Sequence, residues 1–136
     1  MSVSQLSVFA ENQPGRLSRL TALLEREAIS IRGFAVADTG DFGIVRLIVD
    51  EPKKAQSCLQ AAGFLVQAND LLCLELPDAP GFLNLVVSAM ADAEISVEYG
   101  YSLVSTYVVF KVLDVAFAEQ QLLKQDIRII NQSDLV

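Results

Sequence analysis

Pro14-Gly15-Arg16-Leu17 and Pro80-Gly81-Phe82-Leu83 stand 66 residues apart, and the likeness around them constrains the fold more than any other feature of the 136 residues. Leu20 falls on Val86, Leu24 on Met90, and Ile29-Ser30-Ile31 on Ile95-Ser96-Val97. Further on the offset reads as 64, so that Val45 meets Val109, Asp50 meets Asp114 and Asp70-Leu71 meets Asp134-Leu135. A two-residue deletion in a hairpin accounts for the change. The chain therefore reads as two copies of one module, residues 1–70 and 71–136, each long enough to fold around its own core.

Within a copy the pattern alternates between strand and helix. Residues 4–10 are short, apolar and β-rich, whereas Leu17, Leu20, Leu23, Leu24 and Ala28 recur at helical spacing. Pro14 sits where a missing N–H costs nothing, because the first helical N–H groups lack an intrahelical partner. Ile31 to Asp38 reads as strand two, Thr39-Gly40-Asp41 as a tight turn, and Phe42 to Asp50 as strand three. Glu51-Pro52 opens helix two, Gly63 ends it, and Phe64-Leu65-Val66 is strand four. The second copy repeats this: strands at Leu71–Leu76, Ser96–Val104, Thr106–Leu113 and Ile127–Ile130, with helices at Gly81–Ala93 and Phe117–Gln125. The order is βαββαβ, the ferredoxin-like unit of the α+β class.

Strand two is a sheet edge in this topology, and unguarded edges invite pairing. Residues 31–36 and 97–103 are long and poorly guarded, and only Asn69-Asp70 joins the copies. The expectation is two units side by side through their second strands, forming one eight-stranded antiparallel sheet with the helices on one face. Hydrophobic residues make up 52% of the chain, yet no run approaches the ~20 needed to span a membrane. That excess, with the run Leu71-Leu72-Cys73-Leu74, suggests a face covered by a second copy. The expected chain is a cytoplasmic homodimer without an export signal.

Charge and chemistry exclude more. The net charge of −7 is uneven: residues 1–70 hold seven Lys and Arg against eight Asp and Glu, residues 71–136 three against nine. Neither half offers the basic stripe that nucleic acid requires. There is no histidine for acid–base work, no nucleophile elbow and no phosphate loop. Cys58 and Cys73 lack metal-ligand spacing and read as reduced, buried thiols. No catalytic residue, metal or cofactor is expected. Tyr99 and Tyr101 share strand parity with Val97 and Leu103 and read as packing residues.

The two Pro-Gly turns are the candidate sites. Each starts a helix with free N–H groups and a positive dipole end, which suits a carboxylate or phosphate. Gly15 and Gly81 serve either that exposure or the turn itself, and Asn12, from the residues alone, also reads as a helix cap. Glu11-Asn12-x-Pro14-Gly15-x-Leu17 after a strand, with Ile29-Ser30-Ile31 opening the next, resembles an ACT domain, and its loop is similar to the regulatory domain of phosphoglycerate dehydrogenase. Residues 31–44 and Val97-Glu98-Tyr99-Gly100-Tyr101 are similar to stand-alone tandem ACT proteins.

That resemblance implies a non-enzymatic regulatory sensor that binds a free amino acid, or a similar small zwitterion, at the interface of two ACT units. It implies a site of Glu11, Asn12, Gln13, Gly15, Arg16 and Leu17 completed by Ser96, and a poorer counterpart of Ser30, Asp78, Gly81, Phe82 and Leu83. A regulated metabolic enzyme is the implied partner. The alternative is a protein–protein interaction module whose repeat is purely structural. The dehydrogenase pattern has histidine where Ala10 stands and asparagine where Ser30 and Ser96 stand, so the identity of the amino acid does not carry over.

Overall fold

The computed structural model describes residues 2–11, 13–38 and 43–136. Asn12, the expected turn Thr39-Gly40-Asp41 and Phe42 lie outside the described residues. The chain divides into two compact units, one of residues 4–69 with 135–136, the other of residues 1–3 with 70–134.

The first unit holds β1 (Val3–Ala10), α1 (Arg16–Arg26), β2 (Ile31–Asp38), β3 (Gly43–Val49), α2 (Pro52–Ala61) and the start of β4 (Leu65–Glu75), with strand order β2-β3-β1-β4. Antiparallel pairing sets Leu6 opposite Leu47 and Val8 opposite Val45. Alternation then points all four to one face, where Leu20 and Leu24 of α1 and Ala55 and Leu59 of α2 close the core.

The second unit continues β4 and adds α3 (Phe82–Asp92), β5 (Val97–Ser102), β6 (Tyr107–Val112) and α4 (Val115–Leu123), with strand order β4-β6-β5. Its core repeats the plan: Leu72 and Leu74 with Val108, Phe110 and Val112 beneath Val86, Met90, Ala118 and Leu122. A short 3₁₀ turn, Gln132–Leu135, follows. Among the described residues no helix is long and apolar enough to cross a membrane.

Three expectations are corrected. The described residues form six strands, not eight. Nothing between Val66 and Leu71 breaks the chain, so the expected strand four of copy one and strand one of copy two are the single strand β4. Ile127–Ile130 makes one isolated bridge, Leu74 to Ile129, instead of a ladder. The second strands do not pair with each other either: the hydrogen-bonded neighbour of β2 is β3, and that of β5 is β6. Finally, the offset in the second half of the repeat is 63. Pro52 and Val115 start equivalent helices, Leu59 and Leu122 fill equivalent core positions, and the first hairpin is three residues longer than the second. Matching identical residue types (Val45 with Val109) misplaces the register by one, which in a strand moves a side chain to the opposite face; Val108 is the core equivalent of Val45.

The run Leu71–Leu74 is buried at all four positions. Leu72 and Leu74 face the helices, while the side chains of Leu71 and Cys73 point to the opposite face and are fully buried there; beside the strand, Ile130 N–H donates to the Cys73 carbonyl at 2.9 Å. The chain itself supplies that burial, so the run gives no reason to invoke a second copy.

Candidate functional site

Both expected loops are built the same way locally. Gly15 and Gly81 precede α1 and α3 with φ of 88° and 97°, the left-handed region that glycine adopts without strain. A Cβ at either position would meet no atom within 4 Å, so the backbone angle and not lack of space calls for glycine. Among the described residues neither helix start has a side-chain cap. The first helical amides are left for water or a ligand.

The loops differ in what those amides do. In loop one Gln13 N–H donates to the Glu11 carbonyl at 2.9 Å and Arg16 N–H to the Gln13 carbonyl at 3.2 Å. The Arg16 amide, expected to face a ligand, is thus spent within the turn, and among the described residues those of Gly15 and Leu17 have no partner. The Arg16 guanidinium reaches Glu11 at 3.9 Å, with both side chains largely exposed. Gln13 and Leu17 are exposed as well. Asn12, the expected side-chain contact, is outside the described residues.

In loop two Ala79 N–H donates to the Pro77 carbonyl at 2.8 Å, and among the described residues the amides of Gly81, Phe82 and Leu83 have no partner. Leu76 N–H anchors the loop's base to the Thr106 carbonyl at 2.7 Å, and Leu103 N–H to the Tyr107 carbonyl at 2.8 Å closes the β5–β6 hairpin. Loop and hairpin together line a cavity of about 450 Å³. Asp78, Gly81 and Leu83 border it from the loop, Ser102, Ser105, Thr106 and Tyr107 from the hairpin. That volume lies in the range of small-molecule sites. A carboxylate group fits beside the helix-start amides, and an ammonium group beside Asp78 and the hydroxyls.

Of the expected residues, the cavity brings together Asp78, Gly81 and Leu83; Phe82 is not among its lining residues. Ser30 is tied within its own unit, its N–H donating to the Asp50 carboxylate at 3.0 Å while Asp50 N–H donates back to its carbonyl at 3.1 Å. Ser96 borders a smaller cavity of about 240 Å³ with Leu113, Asp114 and Phe117. The hairpin residues were not singled out in the sequence. Their signal is the polar tip Ser105-Thr106 between two apolar strands, with Ser105 at a φ of 64°. Among the described residues no group of His, Cys, Asp and Glu is placed to hold a metal ion.

The outer surfaces of the two leading helices contrast. Where α1 presents Arg16, Arg19, Thr21 and Glu25, the equivalent positions of α3 hold Phe82, Leu85, Val87 and Ala91. Phe82, Leu83, Leu85 and Val87 are between 38% and 51% exposed, which leaves an apolar helix surface in water.

A family model described as an ACT domain pair matches residues 1–136. No curated protein matches the sequence. Among solved structures, the protein BT0572 from Bacteroides thetaiotaomicron is similar at 32% identity with a TM-score of 0.93, over 99% of this chain and 96% of that one. The ligand-free regulatory subunit of aspartate kinase from Thermus thermophilus is similar at 14% identity and a TM-score of 0.68, over 93% of this chain and 92% of that one. The regulatory subunit from Thermus flavus gives 14%, 0.63, 90% and 89%. At such identity the two kinase subunits speak to the fold alone.

Proposed function

The chain belongs to the ACT domain pair family, and we propose that it is a non-catalytic regulator which binds a free amino acid at the helix-start loop of an ACT unit. ACT domains are regulatory modules of amino-acid metabolism. The observation that carries the reading is the loop-two cavity, where unpartnered helix-start amides, one carboxylate and a row of hydroxyls meet. A zwitterion is the ligand that uses both kinds of group. The helix dipole adds roughly 0.3–1 kcal/mol for its carboxylate, and up to ~2 where partly buried. Loop one, with Asn12, Glu11 and the amides of Gly15 and Leu17, is the second candidate. The reading places the chain in the cytoplasm, where free amino acids meet the enzymes that make them.

Thermal shift against the common amino acids tests the proposal, since a ligand at ~100 times its dissociation constant adds about 2.7 kcal/mol. Calorimetry with the responding amino acid then assigns the loop. A loss of roughly 1–3 kcal/mol, the cost of unpaired buried polar groups, in Asn12→Ala alone assigns loop one. The same loss in Asp78→Ala alone assigns loop two, and no loss in either variant refutes both.

The bare outer surface of α3 favours a partner role beside ligand binding. We propose that a second copy covers it, because apolar side chains at positions that are charged or polar in α1 are what a self-complementary interface needs. Sedimentation velocity checks this: the chain is expected to run as a dimer and Leu85→Glu as a folded monomer. A wild-type monomer at micromolar concentration overturns it.

A further inference from the structure

The second unit carries another cavity, of about 560 Å³, bordered by Ser2, Asp70, Lys111, Val112, Leu113, Asp114, Val115, Ala116 and Glu119. None of the loop-two residues is among them. Its most telling member is Glu119. The side chain is only 7% exposed, and its Oε2 has no hydrogen-bond partner. Burying a carboxylate without a partner costs several kcal/mol, and native proteins keep such a group chiefly where something else satisfies it.

Lys111 borders the same cavity from β6. Its Nζ makes one long hydrogen bond, 3.5 Å to the neighbouring Val112 carbonyl. Among the described residues the ion pairs are Arg16 with Glu11 and Arg128 with Glu75 and Asp134; neither Lys111 nor Glu119 takes part in one. Opposite charges thus border one cavity without closing on each other. Asp114 is occupied differently, its Oδ1 accepting from Phe117 N–H at 3.0 Å as the cap of α4. Asp70 adds a further, exposed carboxylate.

We propose that this cavity is a second ligand site, taking a small zwitterion whose ammonium meets Glu119 and whose carboxylate meets Lys111. The charge pattern selects the class. A simple anion would face Glu119 and Asp70, and a simple cation would face Lys111. A molecule carrying both signs pairs with the unpartnered oxygen and the lysine together. Burial raises the Glu119 carboxyl above its ordinary value. An ammonium ligand beside it would act in the opposite direction, toward ionisation. The site is separate from the loop sites in its residues, so either can fail without the other.

A titration of the full chain followed by amide chemical shifts tests this, with 4-aminobutyrate and alanine as zwitterions and n-butylamine and butyrate as single-charge controls. Saturable shifts of residues 111–119 are expected with a zwitterion at or below about 10 mM, with the controls weaker by about tenfold or more, ~1.4 kcal/mol. Which of the two zwitterions binds more tightly reads the spacing of the charges. Glu119→Gln keeps the side-chain volume and is expected to weaken binding by a similar factor; should it fail to fold, Lys111→Met provides the same reading. No shifts at 111–119 with either zwitterion, or unchanged binding in the folded variants, overturns the proposal. Shifts confined to residues 76–83 and 102–108 overturn it while supporting the loop-two reading.

Discussion

Gly100→Ala is expected to destabilise the second unit by a steric route that differs from the usual cost of replacing a glycine. Gly100 lies in β5 opposite Phe110 of β6, and a Cβ built on it would sit 2.6 Å from Phe110 Cδ1, 2.9 Å from Cε1 and 2.9 Å from the Val109 carbonyl oxygen. Ordinary carbon contacts fall at about 3.5–4.0 Å, so the methyl group is roughly 1 Å too close to the ring. The ring can turn only at the expense of a core that holds Phe110 at 8% exposure. The carbonyl belongs to the strand backbone and moves only with the ladder. Overpacking of this kind costs about 1–3 kcal/mol, against which alanine returns roughly 0.5–1 kcal/mol through the unfolded chain. With contacts as short as 2.6 Å the cost falls in the upper half of that range, so the net expectation is a loss of about 1–2.5 kcal/mol. Urea unfolding should show the midpoint falling at constant m. Adding Phe110→Leu should recover part of the loss, because it removes the ring contacts and leaves the carbonyl contact. A neutral or stabilised Gly100→Ala would refute the steric reasoning, and strictly additive losses in the double variant would exonerate the ring.

Glu94 holds a φ of 59° just past α3, where Ile95 N–H reaches back to the Met90 carbonyl at 2.8 Å; Glu94→Gly should raise stability by about 1 kcal/mol, read as a higher urea midpoint. Asp114→Ala removes the side-chain cap of α4 and should cost about 1 kcal/mol in the same assay. Burial pushes the Cys73 thiol up to about 12, so a thiol reagent on the native chain should label half-buried Cys58 and spare Cys73. The unfolded thiol releases its proton from about pH 9.0 while the native one keeps it to about 12, so stability should fall as pH rises across that window. Cys73→Ala should make the decline in melting temperature over the same window shallower, and equal slopes would refute the assignment.

Much of this architecture was legible because helical and strand periodicities differ and repeat. The starts of α1 and α3 follow from Pro-Gly, and the core pairs Leu20 with Val86 and Leu24 with Met90 follow from an offset of 66. Sheet closure was not legible. Composition gave Ile127–Ile130 the same β character as residues 64–66, but a strand exists only where a neighbour offers a ladder, and here one bridge forms. The edge strands also misled, since an unguarded sequence does not name its partner. The site was half legible. Gly81 and Asp78 could be found from the turn, whereas Ser102, Ser105, Thr106 and Tyr107 come near only through hairpin geometry, in which residues far apart in sequence share a wall.

The two units show how one plan accepts different side chains at matched positions. On the first, Phe34 of β2 stands opposite Leu47; on the second, Gly100 of β5 stands opposite Phe110. A large residue over a smaller one has become the smallest residue beside a large one. The consequence is chemical as well as steric. Phe34 remains 61% exposed at the edge of its unit, whereas Phe110 is drawn into the core and fills the position that Leu47 fills in the other. The same divergence runs along the leading helices, where Arg19 and Thr21 answer to Leu85 and Val87. Core positions keep their apolar character under the 66-residue offset because the fold demands it, and outer positions change because it does not. The outer surface of α3 is therefore where selection for something other than folding is to be sought, and Leu85→Glu is the change that separates that demand from the stability of the unit.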